Sequence, residues 1–127
     1  RAGRRVERWR RIAREAAKQS GRQRVPEIGD VREFHEALEG LDPGSVNVIP
    51  WELERERGLR TLLRSKRDSR FFTFLIGPEG GFTVDEVESA RARGVLPVTL
   101  GPRILRTETA GLVVLAVTLY ELGCLGP

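Results

Sequence analysis

Two glycine-rich segments carry residue types that could hold a ligand against the backbone. The first reads LIGPEGGF over residues 75–82, and the second reads LGPRILRTETA over residues 100–110. Glycine allows close approach to the main chain because it has no side chain in the way. The first segment also contains a carboxylate, Glu79, and the second contains two cations, Arg103 and Arg106.

The first segment does not match a known phosphate-binding loop. A P-loop closes with Gly-Lys-Ser/Thr, whereas Gly81 is followed by Phe82 and Thr83. A dinucleotide fingerprint reads Gly-x-Gly-x-x-Gly, but the order here is Gly-x-x-Gly-Gly, and Pro78 has no amide proton. Glu79 would also repel a phosphate. The segment thus predicts a neutral or locally cationic ligand, and a tight turn that needs glycine dihedrals alone is the alternative.

The second segment places an apolar surface between two cations. Arg103 and Arg106 flank Ile104 and Leu105, which suits a nucleobase or adenine ring beside an anionic group. Thr107 and Glu108 follow this surface. A role as the cap and the first turn of the next helix explains them at least as well as a catalytic role does. The single histidine, His35, lies outside both segments and is predicted to be a solvated surface residue.

Composition narrows the class of protein. A chain of 127 residues fits one compact domain, residues 1–127, although the absence of Met and the charged start suggest that it begins inside a longer protein. The longest apolar run, residues 111–119, is far short of the roughly 20 residues that span a bilayer. The single cysteine, Cys124, has no disulfide or metal-ligand companion. We therefore expect a cytoplasmic protein with no membrane segment and no metal.

Positive charge is concentrated at the amino end. Residues 1–24 hold ten basic side chains and two acidic ones, a net charge of +8, so the rest of the chain carries −4. Residues 4–20 fit an amphipathic helix with apolar side chains on one side and a basic stripe on the other. A polyanion is the expected partner of this stripe, and a merely solvated face is the alternative.

The predicted elements alternate along the chain. A helix over residues 31–38 capped by Asp30, a strand over 45–50 and a charged helix over 53–63 come first. A strand over 70–76 then leads into the first glycine segment, and a capping box from Thr83 to Glu86 opens a helix that ends at Gly94. A strand over 95–100 leads into the second glycine segment.

The last helix is predicted over residues 107–122, with apolar residues on all sides, which indicates burial on several faces. Strand and helix in succession predict an α/β fold with a largely parallel sheet. The two glycine segments would then lie at neighbouring carboxyl ends of strands, where they could line one pocket.

Three segments in this order resemble one family. ERWRRIAREAAKQSGRQRVPEI at residues 7–28 and the two glycine segments are similar to the catalytic domain of bacterial small-subunit rRNA uridine-N(3) methyltransferases, of the SPOUT superfamily. The resemblance covers nearly the whole chain. It implies S-adenosylmethionine as methyl donor, a homodimer, and a largely parallel sheet flanked by helices with a C-terminal trefoil knot, an exception to the rule against knots. It also implies an N-terminal RNA-binding domain that these residues do not include.

The resemblance assigns the glycine segments to the donor site. The donor would lie between two walls built mainly of backbone groups, one formed by Ile76, Gly77, Gly80 and Gly81 and the other by Leu100, Gly101, Ile104 and Leu105. A sulfonium ligand tolerates a nearby carboxylate, so Glu79 either contacts the donor or anchors its loop.

The resemblance also implies catalytic and RNA-binding residues. When N(3) of uracil loses its proton, negative charge spreads onto the flanking carbonyl oxygens, and Arg103 or Arg106 could stabilise it. Neither is a base, because guanidinium stays protonated, and the sequence identifies no proton acceptor. The rRNA phosphates would bind the basic amino end, at Arg8, Arg11, Gln19 and Arg22.

Two other classes of protein remain open at this point. The chain could be a noncatalytic RNA-binding module that keeps the fold. It could instead be a nucleotide-binding enzyme whose glycine turns hold phosphate. Binding of the methyl donor would weigh against the first, and magnesium-dependent ATP binding would favour the second.

Overall fold

A computed structural model describes residues 33–77, 81–101 and 107–122 of the chain. Within these ranges, helices and strands alternate as an α/β protein requires, which confirms the predicted fold class. The elements are α1 (Phe34–Glu39), β1 (Val46–Pro50), α2 (Leu59–Ser65), β2 (Phe72–Phe74), α3 (Val84–Ala92), β3 (Leu96–Val98) and α4 (Thr107–Glu121). The predicted trefoil knot and the basic helix over residues 4–20 depend on residues outside this part of the chain.

The described strands form a parallel sheet in the order β2-β1-β3. Val48 of β1 pairs with Phe74 on one side and with Leu96 on the other, so β1 is the central strand. The prediction that the two glycine segments follow neighbouring strands is wrong, since β1 lies between them. The order of the strands depends on contacts distant in sequence, and the alternation of elements cannot specify it.

Helices cover both faces of this sheet. One core cluster joins α1 and α3 to one face of the sheet, and its buried members are Leu38, Ile49, Val87, Ala90 and Val95. The second cluster joins α2 to the opposite face, with Val48, Leu59, Leu62, Leu63 and Val98 buried. Val48 and Ile49 are both fully buried and point to opposite faces, as adjacent residues of a strand must. The apolar character of β1 therefore comes from burial on both sides.

The first helix starts later than predicted. The range 31–38 with Asp30 as its cap is wrong, because α1 begins at Phe34 and the side chain of Glu33 caps it by accepting from the backbone N–H of Glu36 at 3.1 Å. Hydrogen bonds from the backbone N–H groups of His35 and Glu36 lower the pKa of Glu33. An acidic side chain in this position also interacts favourably with the positive end of the helix dipole.

The second helix also starts later, at Leu59 and not at residue 53. The carboxylate of Glu54 accepts hydrogen bonds from the N–H groups of Glu56 and Arg57, at 3.2 and 2.9 Å, and folds this stretch into a turn. Gly58 is then extended and forms a parallel bridge with Thr99. Backbone pairing to a distant residue thus replaces the first turns of the predicted helix.

The capping box predicted for the third helix is confirmed. The Thr83 hydroxyl accepts from the N–H of Glu86 at 3.1 Å, and the Glu86 carboxylate accepts from the N–H of Thr83 at 2.9 Å. Gly94, just past the end of α3, has φ of +83°, a value that suits glycine and ends the helix where the sequence predicts.

The last helix is less buried than predicted. Gly111, Val114 and Thr118 form a buried stripe at helical spacing, and α4 packs against α2. Ala116 is exposed, and Tyr120 is 71% exposed. Burial on several faces is therefore wrong for the described chain, in which one face of α4 packs inward. None of the described helices has the length and apolarity needed to cross a membrane.

Candidate functional site

The carboxyl edge of the sheet brings the two glycine segments to the ends of the outer strands. Pro50 of β1 pairs with Val98 of β3, and the register of β1 with β2, continued by two residues, puts Ile76 level with Pro50. Adjacent strands are about 4.8 Å apart, so the two segments leave the sheet about 10 Å from each other across β1. That separation suits a ligand that lies across the end of the central strand.

The chain path favours a ligand at this edge. From β1 the chain runs to β2 on one side and then to β3 on the other, with α2 and α3 on opposite faces of the sheet. This reversal of strand order is a topological switch point, and ligands of open α/β sheets bind at the carboxyl ends of strands where it occurs.

The segment after β2 is closed by an aromatic side chain. Gly77 lies directly against the ring of Phe82, since a Cβ at position 77 would meet three ring atoms at 3.0–3.1 Å. The Phe82 ring contacts Phe34 of α1 with ring centroids 5.4 Å apart. The carbonyl oxygen of Phe82 accepts a hydrogen bond from Nε1 of Trp51 at 3.1 Å. The ends of this loop are therefore held to α1 and to the end of β1.

The segment after β3 is held by one threonine. The hydroxyl of Thr99 accepts from the N–H of Gly101 at 3.1 Å and donates to the carbonyl oxygen of the same residue at 3.2 Å. Its backbone N–H donates to the carbonyl of Arg57 at 2.8 Å, and its carbonyl accepts from the N–H of Leu59 at 3.2 Å. Thr99 thus holds the start of the second loop through its side chain and joins it to the turn after β1 through its backbone.

Glycine is required in both loops for identifiable reasons. Gly81 has φ of +76° and Gly101 has φ of +118°, and both are exposed with open space where a Cβ would lie. Their exposed backbone at the edge of the sheet is available to a ligand, and L side chains would strain it. Gly77 differs, because space and not φ excludes a side chain there.

Five of the predicted donor-site residues are described by the structure. Ile76, Gly77 and Leu100 are half-buried at the carboxyl edge, and Gly81 and Gly101 are exposed there. The predicted roles of ten other residues lie outside the described residues and stay predictions: Glu79, Gly80, Arg103, Ile104, Leu105, Arg106, Arg8, Arg11, Gln19 and Arg22.

Three residues that shape this edge were missed by sequence reasoning. Trp51 lies between the two loops because β1 is central, and Thr99 and Phe82 fix the loop ends by the contacts above. The aromatic residue directly after the glycine segment was a usable signal for Phe82. Nothing local marks Trp51, since its position depends on strand order.

Among the described residues, the other polar side chains form no metal-binding group. His35 is exposed, as predicted, and its ring contacts Phe34 edge-on at 5.6 Å. Across residues 33–77, 81–101 and 107–122, no three His, Cys, Asp or Glu side chains are arranged to hold a metal ion. The geometry thus points to the backbone-rich loops at the carboxyl edge.

Fold and site together match a class of protein: α/β domains that bind a small organic ligand at loops on the carboxyl edge of a parallel sheet, at its switch point. The chain belongs to the RNA methyltransferase domain family, whose model matches residues 1–119. This confirms the family indicated by the three sequence segments.

Curated relatives agree with this assignment. The chain is 37% identical over 119 residues to the ribosomal RNA small subunit methyltransferase E of Bacillus subtilis. This match covers 91% of this chain and 46% of that protein. It is 37% identical over 112 residues to the enzyme of the same name from Synechocystis, covering 87% of this chain and 37% of that protein. The chain therefore spans less than half the length of these relatives.

Solved structures are also similar. The ribosomal RNA small subunit methyltransferase E of Neisseria gonorrhoeae, crystallised bound to S-adenosylmethionine, matches with a TM-score of 0.69 and 35% identity, over 94% of this chain and 48% of that one. The protein Lpg2936 of Legionella pneumophila, in complex with the same cofactor, matches with a TM-score of 0.59 and 26% identity, over 94% of this chain and 47% of that one.

Proposed function

We propose that this domain transfers a methyl group from S-adenosylmethionine to N(3) of a uridine in small-subunit ribosomal RNA. The observation that carries the proposal is the pair of glycine loops at the carboxyl edge, in a chain that the family model matches over residues 1–119. Two similar structures contain S-adenosylmethionine, and the relatives are named as small-subunit rRNA methyltransferases. The choice of uridine N(3) derives from the resemblance of the sequence motifs.

The described residues fit this cofactor. The exposed, positive-φ backbone at Gly81 and Gly101 leaves the space that a ligand would occupy, and Ile76 and Leu100 supply half-buried apolar side chains at the same edge. S-adenosylmethionine combines an apolar-faced adenine with a cationic sulfonium, so it needs no phosphate cradle. Gly77, Gly80, Glu79, Ile104 and Leu105 complete the proposed set.

When bound, the cofactor supplies an electrophilic methyl group. The residues of the chain then have three tasks: to hold the donor by backbone groups, to exclude water with apolar side chains and to stabilise the uracil anion. Arg103 and Arg106 are proposed for the third task, because a fixed guanidinium stabilises charge on the carbonyl oxygens next to N(3). Their permanent positive charge also favours loss of the N(3) proton.

The proposal includes the partners of the domain. Residues 1–127 would form the donor-binding unit, with rRNA phosphates contacted by Arg8, Arg11, Gln19 and Arg22 in the segment of net charge +8. The half-exposed apolar residues of α4 support a homodimer. We also propose the trefoil knot that the resemblance implies. We propose a cytoplasmic location as well, because bacterial ribosomal RNA is made and modified there.

Methyl transfer is tested with the chain, S-adenosylmethionine labelled in its methyl group, and small-subunit rRNA stripped of protein. After digestion to nucleosides, we expect label in 3-methyluridine by chromatography and mass spectrometry. Replacing Arg106 with Gln should lower the rate by about 100-fold, the usual effect of losing one electrostatic stabiliser. The matched control Arg93→Gln removes the same charge from an exposed arginine just after α3 and should leave the rate unchanged. Label in another nucleoside would overturn the uridine assignment.

A further inference from the structure

A second concentration of positive charge lies on α2 and on the residues that flank it. Residues 57–70 contain six cations and one acid, although the chain after residue 24 is net acidic. We call this set the α2 stripe, and its members are Arg57, Arg60, Arg64, Lys66, Arg67 and Arg70, all exposed. Asp68 is the only acidic residue in the range 57–70.

The stripe is incompletely neutralised by the fold. Arg60 and Arg64 both approach Glu121 of α4, at 4.0 and 3.7 Å, so two cations share one carboxylate. Their side chains nevertheless stay 73% and 61% exposed, while that of Glu121 is 14% exposed. Lys66, Arg67 and Arg70 form no ion pair with any residue in the described ranges. Such exposed charge raises the local positive potential and attracts anions.

The stripe runs from the proposed methyl-transfer site to the opposite edge of the sheet. Its first member, Arg57, is fixed by its carbonyl, which accepts from the N–H of Thr99, the residue that holds Gly101. The helix α2 then extends for about 10 Å, at about 1.5 Å per residue. Its last member, Arg70, lies just before β2, at the amino end of the strands. An extended polyanion on the stripe would therefore reach the site at one end.

An aromatic ring ends the stripe. Phe71 is 61% exposed and directly precedes the half-buried strand β2. Its backbone is fixed, because its carbonyl accepts from the N–H of Val46 at 2.8 Å. Unpaired bases of RNA stack on such rings while cations hold the phosphates.

We propose that the α2 stripe and Phe71 form a second binding surface for the rRNA substrate, with the cations on phosphates and the ring on an unpaired base. This inference rests on the proposed function, because it takes RNA as the substrate, and it adds a contact separate from the basic amino end. Charge complementarity and the exposed ring favour a nucleic acid. An acidic protein surface would use the charge but would leave the ring in water.

The test measures binding of small-subunit rRNA, stripped of protein, between about 50 and 200 mM salt. The stripe variant is Arg67→Gln with Arg70→Gln, because neither residue has an ion pair within the described chain. The control is Arg91→Gln with Arg93→Gln, which removes two exposed arginines at the end of α3 on the opposite face of the sheet, of which Arg91 lies 3.5 Å from Glu88 in an exposed ion pair. S-adenosylmethionine binding is measured by calorimetry for every protein.

One phosphate contact to single-stranded RNA changes the salt slope by about 0.7, which is about 5-fold in affinity at about 0.1 M salt. The stripe variant should therefore bind up to about 25-fold more weakly, with a slope lower by about 1.4. Phe71→Leu should weaken binding by about 5-fold or more without changing the slope, as loss of base stacking predicts. The control and all donor titrations should match the unchanged chain.

Each other outcome has a distinct meaning. An unchanged affinity and slope in the stripe variant, with RNA and donor binding intact in the unchanged chain, would overturn the second surface and leave the proposed function standing. An equal loss in the control variant would also overturn it, because net charge alone would explain both. If the unchanged chain bound no donor, the proposed function itself would fail.

Discussion

The contact between Gly77 and Phe82 gives a sharp test of how the first loop is built. In Gly77→Ala, the new Cβ would meet three atoms of the Phe82 ring at 3.0–3.1 Å, tighter than most Cβ contacts in proteins, so the ring would have to shift by a few tenths of an ångström. The ring cannot move freely, because it contacts Phe34 and its own backbone carbonyl is bonded to Trp51. The substitution must therefore push the ring or the loop out of place.

The expected cost follows from overpacking a filled site. An extra methyl group without space destabilises a protein by about 1–3 kcal/mol. We therefore expect Gly77→Ala to lower the free energy of unfolding by about that amount, measured by urea denaturation. Because the loop also forms one wall of the proposed donor site, affinity for S-adenosylmethionine by calorimetry should fall by about 10-fold or more, equivalent to about 1.4 kcal/mol.

The chain offers a control and a rescue for this test. Gly58→Ala adds the same methyl group where nothing lies within 4 Å and φ is −86°. Gly58 is the N-cap of α2, where Gly is preferred over Ala, and this offsets the entropic gain, so the free energy of unfolding should change by less than about 0.5 kcal/mol. Phe82→Leu removes the far edge of the ring, and the double variant with Gly77→Ala should lose less than the sum of the single effects. Strict additivity, or a Gly77→Ala chain as stable as Gly58→Ala, would refute the packing argument.

Three further predictions concern the elements around the site. Thr83→Ala removes one half of the capping box and should destabilise by about 1 kcal/mol in urea denaturation, whereas Ser89→Ala on the same helix should have little effect. Trp51→Phe removes the Nε1 hydrogen bond to Phe82 and should cost about 0.5–1.5 kcal/mol, with weaker donor binding; unchanged binding would show that the end of β1 does not shape the site. The pKa of Glu33 is lowered from its ordinary 4.5, so its cap stabilises α1 above that pH and is lost as pH falls through the lower folded value. An NMR titration midpoint at or above 4.5 would contradict this.

Local signals predicted the parts of the fold that depend on local contacts. The capping box of α3 and the stop at Gly94 involve residues within a few positions of each other, and both are confirmed. The start of α2 was wrong because Gly58 pairs with Thr99, a residue distant in sequence. Pattern reasoning sees a charged, helix-forming stretch there and has no access to that pairing.

The candidate site likewise combines features that are visible in the local sequence with features that depend on contacts in the folded chain. The glycine segments were singled out because close backbone approach by a ligand would require a residue type that is visible in the sequence. Trp51 was missed because only the order β2-β1-β3 brings it between the two loops. The difference between Gly77, which is limited by space, and Gly101, which is limited by φ, is likewise a property of the folded chain.

The central claim is that the glycine loops bind a methyl donor. We would test it by calorimetric titration of the chain with S-adenosylmethionine, alongside a titration with ATP and magnesium. The account predicts saturable binding of the donor alone, lost when Gly101, with its φ of +118°, is replaced by Val. Binding of magnesium-ATP in place of the donor, or no donor binding by a chain that is folded, would contradict it.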